Sequence, residues 1–292
     1  MSACDSARTS AGAGTVTNGS ASARVAASRP CVLVFAGLDP SGGAGLSADL
    51  QAIAGQGAHA LTVATALTVQ DNDRVYAVHP VAASLLREQA QALIARMAIS
   101  AVKIGIPGSA ENARAIAALI VQLRESQPQL PVVLDPVLAS GHGDLLSHDD
   151  AVRALAPLLS LATVLTPNRP EAEALTGLQG PLAQAQSLRA QGCQHVLLTG
   201  GHDEGEQVLN QWFGPNAHPD TLVARRQWHW PRLAGSFHGS GCTLAAAIAG
   251  QLAAGVPLAL ALDAGQAYCY QALATAYDVA PGQRIPQRAS YF

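Results

Sequence analysis

The sequence predicts a single-domain, three-layer α/β/α sandwich with a mostly parallel central sheet. Strand-length runs that are apolar throughout alternate with segments of helical period from residue 29 onward. Strands that are apolar on both faces need cover on both faces, which helices provide in a parallel sheet. Neither a linker-like stretch nor an internal repeat interrupts residues 29–292, so one domain is expected over that range.

The predicted strands and helices follow one another along the chain. The apolar runs lie at 31–37, 61–69, 101–106, 131–137, 163–167 and 195–200. The segments of helical period lie at 44–56, 81–97, 109–125, 149–160, 170–176 and 181–191. Residues 206–214 are expected to form an antiparallel strand at one edge of the sheet. An alanine-rich helix is expected from Thr243 to Leu252, because Gly255 and Pro257 supply a stop signal after it.

Composition excludes several classes of function. Apolar residues make up 49% of the 292 residues, enough for a large core, and charged residues make up only 13%. No basic block is present to neutralise phosphates, which argues against binding to nucleic acid or to a membrane surface. The five cysteines are widely spaced and include no CxxC pair. A disulfide framework or a structural zinc site is therefore not expected, and a cytoplasmic protein is.

Residues 1–28 differ from the rest of the sequence. Ala, Ser, Gly and Thr dominate there, with no aromatic residue and no apolar period. Such a composition cannot bury enough apolar surface to offset the entropy lost on ordering, so a disordered tail is expected. The segment also lacks the apolar core of a secretory signal.

Polar or glycine-rich segments follow five of the predicted strands. Ligands of parallel sheets bind beyond the carboxyl ends of the strands, so these segments are candidates for one site. They are AGLDPSGGAGLSADL (36–50), LTVQDN (67–72), LDPVLASGHGDLL (134–146), TPNRPEAEALTG (166–177) and LTGGH (198–202). Ordinary glycine turns, a turn amide and helix capping by Asn168 would also explain them.

A further segment, HGSGC (238–242), brings one cysteine to the first turn of the alanine-rich helix. A helix start carries unpaired N–H groups and partial positive charge, so it attracts anions. The same field favours a thiolate, and the pKa of Cys242 is therefore expected to be depressed. The alternative is a small buried cysteine that only packs behind the turn. The spacing fits neither GxGxxG nor the Walker lysine motif.

Together these segments resemble one known family. GLDPSGGAGLSADL, TALTVQDN, VKIGI, VLDPV, TPNRPEA, TGGH and HGSGCTLA are similar, in this order, to motifs of the hydroxymethylpyrimidine/phosphomethylpyrimidine kinases of thiamin biosynthesis. The resemblance covers about 31–275 and implies a ribokinase-like fold. It implies phosphorylation of 4-amino-5-hydroxymethyl-2-methylpyrimidine with ATP and Mg²⁺ in a homodimer. A second step, from the monophosphate to the pyrophosphate, is left open.

The resemblance also implies roles for individual residues. Cys242 would be the general base, and N–H groups of residues 239–242, including Gly239, Ser240 and Gly241, would hold the transferring phosphoryl group. The implied pyrimidine contacts are Gly37, Ala44, Asp49, Gln70, Ile106 and Val137. The implied ATP contacts are Asn168, Glu171, Thr199, Gly201 and Ser240. Asp135 and Glu171 would hold Mg²⁺ largely through water, and the adenine contacts are expected from 205–235 and 255–275.

Two departures from the family pattern concern lysines. Many relatives carry lysine where this chain has Thr199, and lysine near the segment where residues 139–143 read ASGHG. These departures leave the second phosphorylation undecided, while Lys103 is expected to be structural or to support the substrate side. Three alternatives remain: a pyridoxal kinase of the same fold, a cysteine hydrolase using His238 and Cys242, and a non-catalytic pyrimidine-binding protein.

Overall fold

A computed structural model of the chain describes residues 28–138, 151–215 and 224–289. The strands are β1 (Cys31–Leu38), β2 (His59–Gln70), β3 (Val75–Pro80), β4 (Ile99–Ile104), β5 (Val132–Leu134), β6 (Val164–Leu165), β7 (His195–Leu198), β8 (Gln207–Phe213) and β9 (Arg226–Pro231). The helices are α1 (Gly45–Gly55), α2 (Ala83–Ile94), α3 (Ala110–Ser126), α4 (Ala151–Leu159), α5 (Arg169–Thr176), α6 (Pro181–Ala190), α7 (Ser240–Ala253) and α8 (Leu258–Ala274). Within these ranges no helix has the length and apolar character needed to cross a membrane.

The described strands form one sheet in the order β3-β2-β1-β4-β5-β6-β7-β8-β9. The six strands from β2 through β1 to β7 pair in parallel, whereas β3, β8 and β9 are antiparallel to their neighbours. The predicted three-layer fold with a mostly parallel sheet is confirmed. The chain runs outward in opposite directions from β1 and β4, so a crevice for a ligand opens at their carboxyl ends.

Burial on both faces of β1 explains its continuous apolar run. Leu33 and Phe35 face the core beneath α2 to α6, while Val32 and Val34 face the core beneath α1, α7 and α8. All four side chains are fully buried. Because neighbouring residues of a strand point to opposite faces, both layers of helices need an apolar residue at every position.

Three elements were not predicted from the sequence. The strands β3 and β9 are short, and RQWHWP (226–231) carries too many polar residues to resemble a buried strand. The prediction that 206–214 forms an edge strand is wrong, since β8 is antiparallel but lies between β7 and β9. The helix α8 starts directly after Pro257, which the sequence analysis took only as a stop signal. The predictions for residues 1–27 and 139–150 lie outside the described residues.

One ion pair is buried between α1 and β4. Lys103 Nζ lies 2.8 Å from Asp49 Oδ2, and both side chains are fully buried. Burial alone would lower the pKa of Lys103, but its acidic neighbours, Asp49 first, outweigh burial and raise it. The ammonium group therefore stays protonated at neutral pH and needs its carboxylate partner.

Replacing Asp49 should destabilise the fold strongly. The Asp49→Asn variant leaves the Lys103 charge buried without the carboxylate that it contacts, and such a loss typically costs about 3–5 kcal/mol. Urea unfolding should show that loss. The double variant Asp49→Leu with Lys103→Met should recover most of it, because neither charge then remains to be desolvated. A single variant as stable as the wild type would show that Lys103 is held by other groups.

Candidate active site

A cavity of about 580 Å³ opens where β1, β2, β4, β5, β6 and β7 end, beside the start of α7. This volume is in the range of small-ligand sites. Its walls come from the segments that follow the parallel strands and from β8, β9 and α8. The segments that follow the parallel strands therefore surround one site, as expected from the sequence.

The loop after β1 is organised by Asp39, a residue that the sequence analysis did not single out. The Asp39 carboxylate is 2% exposed and accepts hydrogen bonds from the N–H groups of Ser41 (2.8 Å) and Ala44 (2.7 Å). His238 Nε2 lies 2.7 Å from the same carboxylate. Burial would raise the pKa of Asp39, but His238 and Ser41 outweigh it and lower that pKa. The signal in the sequence was Asp-Pro-Ser, in which an aspartate can accept from the backbone two residues later.

The glycine loop at the start of α7 packs directly on the loop after β1. Gly239 has φ +81°, and a Cβ at this position would collide with the carbonyl oxygen of Gly43. Thr243 stabilises the turn, because its hydroxyl donates to the Gly239 carbonyl at 2.7 Å. Ser240 is the first residue of α7, so the positive end of this helix faces the cavity.

Cys242 lies in the first turn of α7 and lines the cavity. The expectation of a depressed pKa is wrong: the pKa of Cys242 is raised to about 12. Burial is the largest cause, and the negative charges of Asp49 and Asp135 add to it. Lys103 opposes the rise but does not cancel it. The position of Cys242 at a helix start was therefore not enough to predict the pKa of its thiol.

Asp135 and Glu171 contribute two carboxyl groups to the cavity. Burial raises the pKa of Asp135 to about 6, although Lys103 opposes the rise. Burial and the charge of Asp135 raise the pKa of Glu171 to about 8. One oxygen of Asp135, Oδ2, is buried without a hydrogen-bond partner. Two carboxyl groups in one cavity, one of them with an unpaired oxygen, form a donor set that suits a divalent cation.

The donor set fits a cation such as Mg²⁺ that takes most of its ligands from water and phosphates. No group of three or more His, Cys, Asp or Glu residues that could hold a metal ion occurs among residues 28–138, 151–215 and 224–289. Mg²⁺ usually keeps several waters and is held by one or two carboxylates together with substrate phosphates. Two carboxyl groups beside a large cavity match that requirement better than they match an all-protein metal cage.

Glu171 also has the structural role that the sequence analysis considered. Its Oε2 accepts the Asn168 N–H at 2.9 Å, and Asn168 Oδ1 accepts the Glu171 N–H at 2.8 Å. These two bonds form a capping box at the start of α5. Capping and a place on the cavity wall are therefore compatible, because the cap occupies only one of the two carboxylate oxygens.

Nearly all of the predicted site residues line the cavity. They are Gly37, Ala44, Gln70, Ile106, Asp135, Val137, Asn168, Glu171, Thr199, Gly201, Gly239, Ser240, Gly241 and Cys242. Asp49 is the exception: its side chain is fully buried and pairs with Lys103, which itself reaches the cavity. The structure therefore does not support direct contact between Asp49 and the pyrimidine. Asp49 lies one turn into α1, where its side chain points into the core.

Part of the cavity comes from residues that the sequence analysis did not name. The rings of Trp230 and Tyr270 stack with their centroids 4.9 Å apart. Gln266 Oε1 accepts from Asn210 Nδ2 at 2.9 Å and from Trp230 Nε1 at 3.4 Å. These side chains lie on β8, β9 and α8, within the two regions expected to supply adenine contacts. Individual residues could not be chosen because β9 and α8 were not predicted.

Comparison with known proteins gives the family. A family model described as phosphomethylpyrimidine kinase matches residues 39–286. The hydroxymethylpyrimidine/phosphomethylpyrimidine kinase of Rhizobium meliloti is 39% identical over 86% of this chain and 93% of its own length. The thiamine biosynthesis multifunctional protein ThiED of Corynebacterium efficiens is 36% identical over 84% of this chain. The chain spans only about a third (33%) of that longer protein.

Solved structures agree with these relatives. The phosphomethylpyrimidine kinase of Clostridium difficile 630 is 29% identical, with a TM-score of 0.66 over 82% of this chain and 98% of its own. The pyridoxal kinase of Staphylococcus aureus in complex with AMP-PCP and pyridoxal is 25% identical, with a TM-score of 0.76 over 90% and 95%. With most of its length matched by the family model and by a relative at 39% identity, this chain belongs to the phosphomethylpyrimidine kinase family.

Proposed function

We propose that this kinase transfers the γ-phosphoryl group of ATP to the hydroxymethyl group of 4-amino-5-hydroxymethyl-2-methylpyrimidine, a step of thiamin biosynthesis. The observation that carries the proposal is a single cavity lined by Cys242 at a glycine-rich helix start together with Asp135 and Glu171. Several curated relatives are named hydroxymethylpyrimidine/phosphomethylpyrimidine kinases. Membership of a kinase family disfavours the cysteine hydrolase and the non-catalytic binding protein.

The pyrimidine would bind between the loop after β1 and the ends of β2, β4 and β5. Ile106 and Val137 belong to a small apolar cluster at this end of the cavity and would cover a face of the ring. Gln70 is the polar side chain at the end of β2, and its amide can donate and accept at the same time. That pattern matches an edge where an amino group stands beside a ring nitrogen.

ATP would place its phosphates between the start of α7 and the carboxyl groups. N–H groups at the α7 start, at Gly239, Ser240 and Gly241, are suited to receive the transferring phosphoryl group. Asp135 and Glu171 would hold Mg²⁺ largely through water, and Asn168, Thr199 and Gly201 would lie along the phosphates. When bound, Mg²⁺ would neutralise charge on the phosphates during transfer. Phosphoryl transfer then depends mainly on positioning and charge stabilisation.

Cys242 would accept the proton of the hydroxymethyl group. The negative charges of Asp49 and Asp135 oppose ionisation of the thiol, whereas Lys103 favours it. If a cation engages Asp135, the opposition from that carboxylate weakens while Lys103 still favours the thiolate, and the pKa of the thiol falls. We therefore propose that the base becomes active only in the loaded site.

Pyridoxal is the second candidate substrate, because the pyridoxal kinase of Staphylococcus aureus has the same fold at a TM-score of 0.76. Both molecules carry a hydroxymethyl group on a nitrogen heterocycle. The homodimer implied by the family resemblance and the cytoplasmic location are also parts of the proposal. Exposed apolar side chains on β2 and β3, among them Leu67, Val69 and Tyr76, would suit an interface between two copies.

Product analysis by mass tests the proposed reaction. With ATP and Mg²⁺, the pyrimidine alcohol should gain one phosphoryl group, and omission of ATP should abolish the product. A second phosphoryl group on the product would establish the pyrophosphate-forming step. Pyridoxal in a parallel assay is the control for specificity, and a higher kcat/KM for pyridoxal would contradict the choice of substrate.

Replacing Cys242 should separate chemistry from binding. The Cys242→Ala variant should lower kcat by about 10²–10⁴-fold, the usual contribution of a general base, with little change in the pyrimidine Kd. In the wild type kcat/KM should rise with pH above neutrality, because kcat/KM reports the free enzyme, in which the fraction of thiolate grows as the pH approaches the raised pKa of Cys242. Cys242→Asp should recover part of the rate without that rise, since aspartate ordinarily ionises near pH 3.9. Near-normal kcat in Cys242→Ala would leave Cys242 as a packing residue.

Replacing Glu171 tests the metal site without removing the helix cap. Glutamine can still accept the Asn168 N–H in a capping box, but it lacks the charge that attracts Mg²⁺. The Glu171→Gln variant should therefore keep its melting temperature and need more Mg²⁺ for half-maximal rate. Glu173→Gln, on the exposed side of the same helix, is the matched control. Identical Mg²⁺ titrations for the wild type and Glu171→Gln would reduce Glu171 to its capping role.

A further inference from the structure

A buried arginine from the C-terminal segment lies behind the glycine loop of α7. Arg288 is 2% exposed and is among the largest fully buried side chains of the described chain. Its Nε donates to the Thr243 hydroxyl at 2.8 Å, and its Nη2 donates to the Gly43 carbonyl at 2.6 Å. The carbonyls of His238 and Gly239 each lie 3.4 Å from Nη2. All four of these acceptors are uncharged.

This arrangement is costly for the fold. A buried cation normally pairs with an anion, because neutral acceptors replace its lost hydration only in part. The cost is greater here because Arg288 Nη1 has no hydrogen-bond partner. A side chain whose burial lowers the stability of the fold in this way is expected to have a role beyond packing.

The acceptors of Arg288 belong to the two loops that face each other across the proposed reaction centre. Gly43 lies in the loop after β1, whereas His238, Gly239 and Thr243 form the glycine loop and the first turn of α7. One guanidinium group therefore joins both loops from the buried side. The 2.7 Å contact between His238 and Asp39 joins the same two loops, and both of those residues line the cavity.

The charge of Arg288 also acts on the proposed anion site. Its electrostatic partners include Cys242 and Asp49, which places the cation near the first turn of α7. A fixed positive charge behind N–H groups strengthens their attraction for an anion where water is excluded. It does so without rearrangement when negative charge develops, because the guanidinium is already held by hydrogen bonds to two loops.

We infer that Arg288 is a positioning residue for phosphoryl transfer. It fixes the loop after β1 relative to the glycine loop of α7 and supplies positive charge behind the N–H groups that receive the phosphoryl group. The inference rests on the proposed function, since it assigns the pyrimidine to one loop and the phosphoryl group to the other. Arg288 acts through these loops and does not itself contact a substrate.

Two substitutions at Arg288 and one control test the inference. Arg288→Met keeps much of the side-chain length and removes the charge and the hydrogen bonds, while Arg288→Lys keeps the charge. The matched control is Arg284→Met in the same segment, because the Arg284 side chain contacts Asp278 and the Ala276 carbonyl and does not line the cavity. For each protein, calorimetry gives the pyrimidine Kd and the number of binding sites, and an ADP-release assay gives kcat per site.

Normalising kcat to binding sites separates positioning from loss of folded protein. Arg288→Met should lower kcat per site by about 10–100-fold, the order expected when reacting groups are misplaced by about 1 Å. The pyrimidine Kd should change far less, because each loop can still bind its own ligand. Arg288→Lys should lie between Arg288→Met and the wild type, and Arg284→Met should match the wild type.

Contrary results are distinguishable. An unchanged kcat per site in Arg288→Met, or a rate that falls only with the number of sites, would overturn the inference and leave the proposed function intact. If Arg288→Met does not fold, Arg288→Lys decides: a full kcat per site there contradicts the role in fixing the loops, and a reduced one supports it. A wild-type protein that forms no phosphorylated pyrimidine would overturn the proposed function, and this role with it.

Discussion

The close contact between two glycine loops is the constraint on which the rest of the site depends. A Cβ at Gly239 would collide with the Gly43 carbonyl, a Cβ at Gly43 would collide with the His238 ring, and a Cβ at Gly45 would collide with the Gly37 carbonyl. Gly239 and Gly45 also have positive φ, which side chains disfavour. The loops therefore approach closely enough to share Arg288 and the contact between His238 and Asp39. Without that approach, the start of α7 would not face the cavity beside the loop after β1.

Behind these loops, several ionisable side chains lie close together in the protein interior. Lys103, Asp49, Asp135 and Cys242 shift one another's pKa values, because charges that lie close together and largely surrounded by protein are screened less than charges in bulk water. Burial, with a smaller contribution from the carboxylates of Asp49 and Asp135, raises the thiol pKa despite the place of Cys242 at a helix start. A site of this kind responds to the arrival of charged ligands, since each new charge changes the balance among those already buried.

The sequence predicted those parts of the molecule whose signals are local. Continuous apolar runs revealed the parallel strands, because residues such as Leu33 and Val34 are buried on opposite faces. The predicted site residues could be placed at strand ends or at the start of α7, and all of them except Asp49 line the cavity. Asp49 shows the limit of that reasoning: a motif gives the position of a residue, whereas the direction of its side chain depends on a partner, Lys103, 54 residues away. The charge inside the apolar run AVKIGI (101–106) was the available signal for that partner.

Arg288 shows a second limit: the groups that bind it leave no recognisable signal in the sequence. Three of its four acceptors are backbone carbonyls, and every residue type supplies a backbone carbonyl. Neither loop therefore contains a motif that predicts the arginine, which lies 245 residues after Gly43 in the sequence. The family match ends at residue 286, two residues before Arg288. The residues that face the ligands must therefore have particular side chains, which form recognisable motifs. The residue that holds their loops in place needs only to be a buried hydrogen-bond donor that reaches both loops.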